Sequence, residues 1–99
     1  MSLLVGKNAR ENWDIIKQSP GDHIWFHLKS FPSPHIILQD CDPDNEDIIL
    51  AASKCKSNSK YKNIKNIKVM YTYLSNISLG KEIGSVTIKS RRKCKYITI

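Results

Sequence analysis

The stretch from Ile67 to Tyr73 alternates without a break: Ile67, Val69, Tyr71 and Tyr73 fall on one side, and Lys68, Met70 and Thr72 on the other. Side chains along an extended strand point to opposite faces with a period of two, so this run gathers its apolar residues on one face only as a β-strand. A helix would scatter the same residues around its circumference. A strand must share its backbone donors and acceptors with neighbours, and several short apolar runs are available to pair with it. Ser2 to Val5 ends at Gly6. His23 to Leu28 places Ile24, Phe26 and Leu28 on one face and His23, Trp25 and His27 on the other. His35 to Gln39 follows a loop holding Pro32 and Pro34, which suits a strand paired with the preceding one. Ile77 to Leu79, Ser85 to Lys89 and Lys95 to Ile99 complete the set. The polar Ser90-Arg91-Arg92-Lys93 link between the last two predicts a hairpin.

Two segments follow a helical period instead. Asn8 is a good N-cap with Glu11 three residues on, as in a capping box, and Ala9 to Lys17 then reads as a helix ended by Pro20-Gly21. Ala9, Trp13 and Ile16 are its expected core face. A second helix is expected over roughly Glu46 to Asn58, with Ile48, Ala51, Ala52 and Cys55 buried. Glu46 and Asp47 at its start and Lys54 and Lys56 near its end complement the helix dipole. The 99 residues form one domain, 1–99. The expected fold is α+β: a mostly antiparallel sheet of about five to six strands, with two main helices packed on one face.

Charge divides the chain in two. Residues 1–53 carry four basic and eight acidic side chains, five of the acids in the loop 40–47. Residues 54–99 carry twelve basic side chains and one acid, Glu82. One-sided positive charge is the electrostatic footprint of a polyanion partner. Lys and Arg serve phosphates, while aromatic and imidazole rings can stack on unpaired bases. Arg91, Arg92, Lys93 and Lys95 are the densest basic run. Trp25 reads either as a stacking platform on an open face or as a core residue.

Catalysis and metal binding find less support. The spacings His23–His27 and His27–His35 fit no common zinc pattern, and Cys41, Cys55 and Cys94 do not come in close pairs. Three scattered cysteines suit a reducing, cytoplasmic compartment. A nucleophile drawn from Cys41, Cys55 or Ser33, or a histidine-based ribonuclease using His27 and His35, rests on residue types alone. No apolar segment reaches the roughly 18 residues of a membrane span, and no Gly-rich phosphate loop is present. The expectation is a protein that is not an enzyme, with no cofactor and no metal.

The stretch Val5-Gly6-Lys7-Asn8-Ala9-Arg10-Glu11-Asn12 resembles the opening motif of the NFACT-R family, the RNA-binding part of the NFACT proteins. Gly21-Asp22-His23-Ile24-Trp25-Phe26-His27-Leu28 is similar to that family's Asp-x-Trp-Phe-His core. Pro32-Ser33-Pro34-His35-Ile36-Ile37-Leu38, Ala51-Ala52, Val69-x-Tyr71-Thr72 and Gly84-x-Val86 follow in the family's order. The resemblance implies RNA binding, with tRNA or ribosomal RNA as the polymer and the large ribosomal subunit as a further partner. Tail addition to nascent chains, an activity of some full-length members, also needs an N-terminal domain and coiled coils, which these 99 residues do not supply. The matched positions are Gly6, Lys7, Asn8, Asn12, Asp22, Trp25, His27, Ser33 and His35; Gly6 is expected to serve a turn and Asn8 a cap. Pro34 and the sparse lysines around Lys81 depart from the family pattern.

The expected nucleic-acid-binding residues are therefore Lys7, Asn8, Arg10, Trp25, His27, Lys29, Ser33, His35, Arg91, Arg92, Lys93 and Lys95. Two alternatives stand beside RNA binding. One is DNA binding through the same basic face. The other is a protein-interaction adaptor that uses the acidic loop or a strand edge.

Overall fold

β2 (Ile24–Leu28) is the central strand of the molecule, and its residue parity organises everything around it. The computed structural model describes residues 2–99. β3 (His35–Leu38) and β4 (Lys68–Tyr73) flank β2, and β1 (Leu3–Gly6) and β7 (Lys95–Thr98) form the edges. All four pairings are antiparallel, with Trp25 opposite Ile37 on one side and Thr72 on the other. A short second sheet pairs β5 (Ile77–Leu79) with β6 (Val86–Ile88). The helices are α1 (Ala9–Lys17) and α2 (Asn45–Ser57). This is the expected α+β architecture with a mostly antiparallel sheet.

The two helices do not share a face. Ile24, Phe26, Leu28, Ile36, Leu38 and Val69 pack with Ala51, Ala52 and Cys55 of α2. Trp25, Ile37 and Met70, the residues between them, pack with Ile15 of α1 and with Leu74 and Ile77. Both faces of β2 are thus apolar, and each needs its own cover. The expectation of both helices on one face is corrected on this ground: His23, Trp25 and His27 looked polar enough to leave their face open, but Trp25 demands burial. β5 and β6 add Val86 and Ile88 to the α1 side, so helix and hairpin divide that face between them.

Local chemistry sets the helix ends. The Asn8 side chain accepts from the Glu11 amide at 2.9 Å, and the Glu11 carboxylate accepts from the Lys7 amide at 3.0 Å. The capping box is therefore present but reaches one residue further back than its usual partner. Asp44 caps α2 by accepting from the Asp47 amide at 2.9 Å. Ile15, not Ala9 or Trp13, is the buried residue of α1. Trp13 stays partly exposed, and its indole N–H donates to the Ser85 carbonyl at 2.8 Å.

The Ser90–Lys93 link is not a hairpin. β6 pairs with β5 and β7 with β4, so the link carries the chain from one sheet to the other through a 3₁₀ turn at Arg91–Lys93. The cause is Asn76, which is buried. Its carbonyl oxygen accepts from the Ser90 amide at 2.9 Å. Its amide nitrogen donates to the Ser90 carbonyl at 2.8 Å and to Thr72 Oγ1 at 3.1 Å. A tethered Ser90 cannot form the two-strand turn that length and polarity suggested.

Candidate nucleic-acid interface

Four separate segments meet around His27. The first is the β1–α1 junction with Lys7, Asn8 and Asn12. The second is the loop Pro32–Pro34 running into His35. The third is the turn after α2, Asn58 to Lys60, and the fourth is the hairpin tip at Ile83 and Gly84. Together they enclose an open cleft of about 470 Å³. His27 also borders a neighbouring groove lined by Lys29, Phe31, Arg91 and Tyr96. Between the two, a third depression holds Trp25, His35 and the hairpin residues Ser85, Val86 and Ile88. His27 is common to all three, so it sits at the middle of one continuous depression.

Two close approaches build the walls. A side chain on Gly6 would place its Cβ against Asn12, and Gly6 has no left-handed backbone, so it serves close packing of α1 rather than the expected turn. The Asn12 side chain that occupies this space also accepts weakly from the His35 amide at 3.4 Å. Gly84 has a φ of +89°, and a Cβ there would lie 2.7 Å from Ala9. Glycine alone fits that conformation and contact. Together with the Trp13–Ser85 hydrogen bond, it presses the hairpin tip onto the start of α1.

The floor is a packed trio of rings, one pair of them hydrogen-bonded. The Trp25 indole N–H donates to His35 Nδ1 at 3.1 Å, deep in the fold. His27 stacks on Trp25 with 5.7 Å between ring centroids and 11° between planes, and meets His35 edge-on at 5.0 Å. His27 Nδ1 lies 2.7 Å from the Leu28 carbonyl, which can only accept, so Nδ1 carries the proton. Burial lowers the His27 pKa, against a raising effect of that carbonyl. Burial, and then the neighbouring His27, push the His35 pKa down to about 3. Both rings are neutral at neutral pH, and their tautomers are fixed in opposite senses. His27 keeps a lone pair on Nε2, and His35 keeps a proton on Nε2.

The expected binding residues divide sharply. Lys7, Asn8, His27, Ser33 and His35 meet in the cleft, and Lys29 and Arg91 meet in the adjoining groove. Trp25 is only 1% exposed, so the stacking-platform alternative is corrected to the core one. It supports the histidines from beneath. The Ser33 hydroxyl is engaged inside, accepting from the Leu28 amide at 3.0 Å and donating to the Pro34 carbonyl at 3.1 Å. Arg10 projects from α1 and pairs with Asp14 at 3.7 Å. Lys93 and Lys95 lie elsewhere, in a pocket with Asp42 and Pro43 of the acidic loop and Tyr71 and Tyr73. Arg92 is exposed on the 3₁₀ turn, apart from both. The basic run therefore does not act as one patch.

Sequence reasoning missed Lys60, Phe31, Tyr96 and the hairpin tip. Lys60 stood in a polar loop among other lysines, with nothing to single it out. Phe31 and Tyr96 are 38% and 42% exposed, unusual for aromatic rings, and line the groove beside Lys29 and Arg91. Lys29 rests over the Tyr96 ring at 5.0 Å. A burial pattern would have found these rings; the letters alone could not. Cys55 is buried, and burial pushes its thiol up to about 11 despite hydrogen bonds that lower it, so it is not an activated nucleophile.

The pattern of the family described as NFACT protein RNA binding domain matches residues 1–90. The Rqc2 homolog RqcH of Bacillus subtilis is 32% identical over 94 residues, which is 92% of this chain and 16% of that protein. Coiled-coil domain-containing protein 25 of Danio rerio is 24% identical over 107 aligned positions, 99% of this chain and 52% of its own. The solved C-terminal part of the fibronectin/fibrinogen-binding protein from Streptococcus suis superposes with a TM-score of 0.88 at 25% identity, over 98% of this chain and 39% of that one. The chain thus spans between a sixth and about half of these longer relatives. A family pattern along nearly the whole chain and a shared fold lead to one conclusion: this chain belongs to the NFACT RNA-binding domain family.

Proposed function

We propose that the chain binds RNA in the His27-centred depression, without strong sequence preference and without catalysing a reaction on it. The carrying observation is convergence. Lys7, Lys60, Lys29 and Arg91 arrive from four different segments around two neutral histidines and two exposed aromatic rings. The cations suit phosphates, Phe31 and Tyr96 suit unstacked bases, and the histidines supply uncharged hydrogen bonds. The ribosome-associated members of the family support tRNA or ribosomal RNA as the polymer and the large ribosomal subunit as the setting.

A ribonuclease reading of His27 and His35 loses ground on the same geometry. General acid–base work near neutrality needs a group that titrates there. His35 is held neutral far below that range. Among the described residues no helix is long and apolar enough to cross a membrane.

The test is the affinity of the protein for tRNA and for matched duplex DNA, titrated from low to physiological salt. RNA preferred at physiological salt is the expected result. The paired variant Lys7→Ala with Lys60→Ala should weaken binding across sequences and reduce the salt slope by roughly one and a half. Binding that vanishes by physiological salt, or is equal for both polymers, would defeat the reading and favour the adaptor alternative.

A further inference from the structure

The opposite tautomers of the two histidines have a chemical consequence. His27 Nδ1 donates to the Leu28 carbonyl, so its Nε2 is an acceptor. His35 Nδ1 accepts from Trp25, so its Nε2 is a donor. Neither Nε2 makes a hydrogen bond within the described residues, and neither is a sealed, unsatisfied buried atom. Both rings border the same cleft, edge to face at 5.0 Å. The pair thus offers the cleft one free donor and one free acceptor, both uncharged. A phosphate oxygen only accepts, and a lysine ammonium only donates, so neither satisfies both. A hydroxyl does both at once.

We propose that His27 and His35 together read a ribose 2′-hydroxyl, His27 Nε2 accepting its proton and His35 Nε2–H donating to its oxygen, so that this pair is what makes the cleft prefer RNA to DNA. The 2′-hydroxyl is the group by which a protein tells the two polymers apart at a given position. Trp25 acts as a positioning residue, because its indole N–H engages His35 Nδ1 and so fixes Nε2 as the nitrogen that carries the proton. The inference rests on the cleft being where RNA binds.

The experiment compares one single strand of about 12 nucleotides in three forms: ribose, 2′-deoxy and 2′-fluoro, with uracil kept throughout. Fluorine and hydrogen both remove the hydroxyl donor, whereas phosphates and bases are unchanged. The wild-type protein should bind the ribose form three- to tenfold more tightly than either of the others, the scale of one net hydrogen bond. His27→Phe keeps the ring on Trp25 and removes both nitrogens. It should lose the discrimination, binding the ribose form no better than the deoxy one whatever its overall affinity. Equal wild-type affinity for all three forms would overturn the inference while leaving the cleft as a polyanion site. A full ribose preference retained in His27→Phe would overturn it too, by placing the reader elsewhere. A wild-type protein that binds none of the strands would sink the underlying RNA reading instead. If His27→Phe fails to fold, nitrogen NMR of the wild-type protein decides: the Nε2 resonances of His27 and His35 should shift with the ribose strand and not with the deoxy strand, and resonances that respond equally to both would overturn the inference.

Discussion

Single residues explain more here than their type suggests. Trp25 was ambiguous in the sequence because strand parity tells which face a side chain takes, not what covers it. Its burial beneath α1 and the β5–β6 hairpin converts it from a binding group into the support for two histidines. His35 then has a measurable consequence. The ordinary value is 6.5, and in the fold it falls to about 3. As pH falls, the unfolded chain takes up this proton first, so the native state loses ground. Stability from this group is fully present above about 6.5 and drains away between about 6.5 and about 3. His27 is lowered as well and acts in the same direction. Urea unfolding should show a loss on the order of 2 kcal/mol from His35 between about pH 7 and about pH 5. His35→Gln, which keeps an acceptor for the indole, should flatten that part of the profile. An unchanged profile would mean that His35 does not stay neutral in the fold. Nitrogen-detected NMR would separately show the proton on Nδ1 of His27 and on Nε2 of His35.

At the scale of elements, the sequence was most legible where apolar periodicity was strong and local. β2, β3, β4, α2 and the small β5 strand lie where alternation or helical spacing put them, within a residue or two at their ends. The Asn8 cap is equally local and was equally readable, whereas the Asp44 cap was hidden among the other carboxylates of the loop 40–47. The last two strands were found, but their pairing was not. Length and polarity of residues 90–93 favour a hairpin, and nothing local reveals that Asn76, fourteen residues earlier, holds Ser90 by both its amide and its carbonyl. Asn76→Ala tests that account. It strips the half-buried N–H and C=O of Ser90 of their side-chain partner and leaves Thr72 without its amide donor, at a cost of about 2 kcal/mol. Hydrogen exchange at the Ser90 amide should accelerate more than at Met70 in the sheet centre. Equal protection in both proteins would assign the crossover to the packing of Cys94 and Ile88 instead.

The fold parts the chain's cations among different surfaces, and this is what a linear reading could not deliver. Residues 54–99 hold most of the cations, yet the fold sends them to different places. Arg91 faces the His27 depression, while Lys93 and Lys95, two and four residues on, stand beside Asp42 in a different pocket. Lys7, from the acidic half of the chain, joins the depression. A generic positive surface would lose affinity in proportion to charge removed, wherever it was removed. A localised phosphate track would not. Arg91→Ala alone should therefore lower the salt slope of RNA binding by roughly 0.7 to 0.9, one phosphate contact. Lys93→Ala with Lys95→Ala removes twice the charge and should change affinity less than Arg91→Ala does, because an acidic neighbour already offsets those lysines and the RNA does not pass them. The two proteins differ little in fold, since all three side chains are exposed. Measured side by side across a salt series, a larger effect from the lysine pair would move the RNA track to the α2 side of the sheet and take the His27 depression out of it.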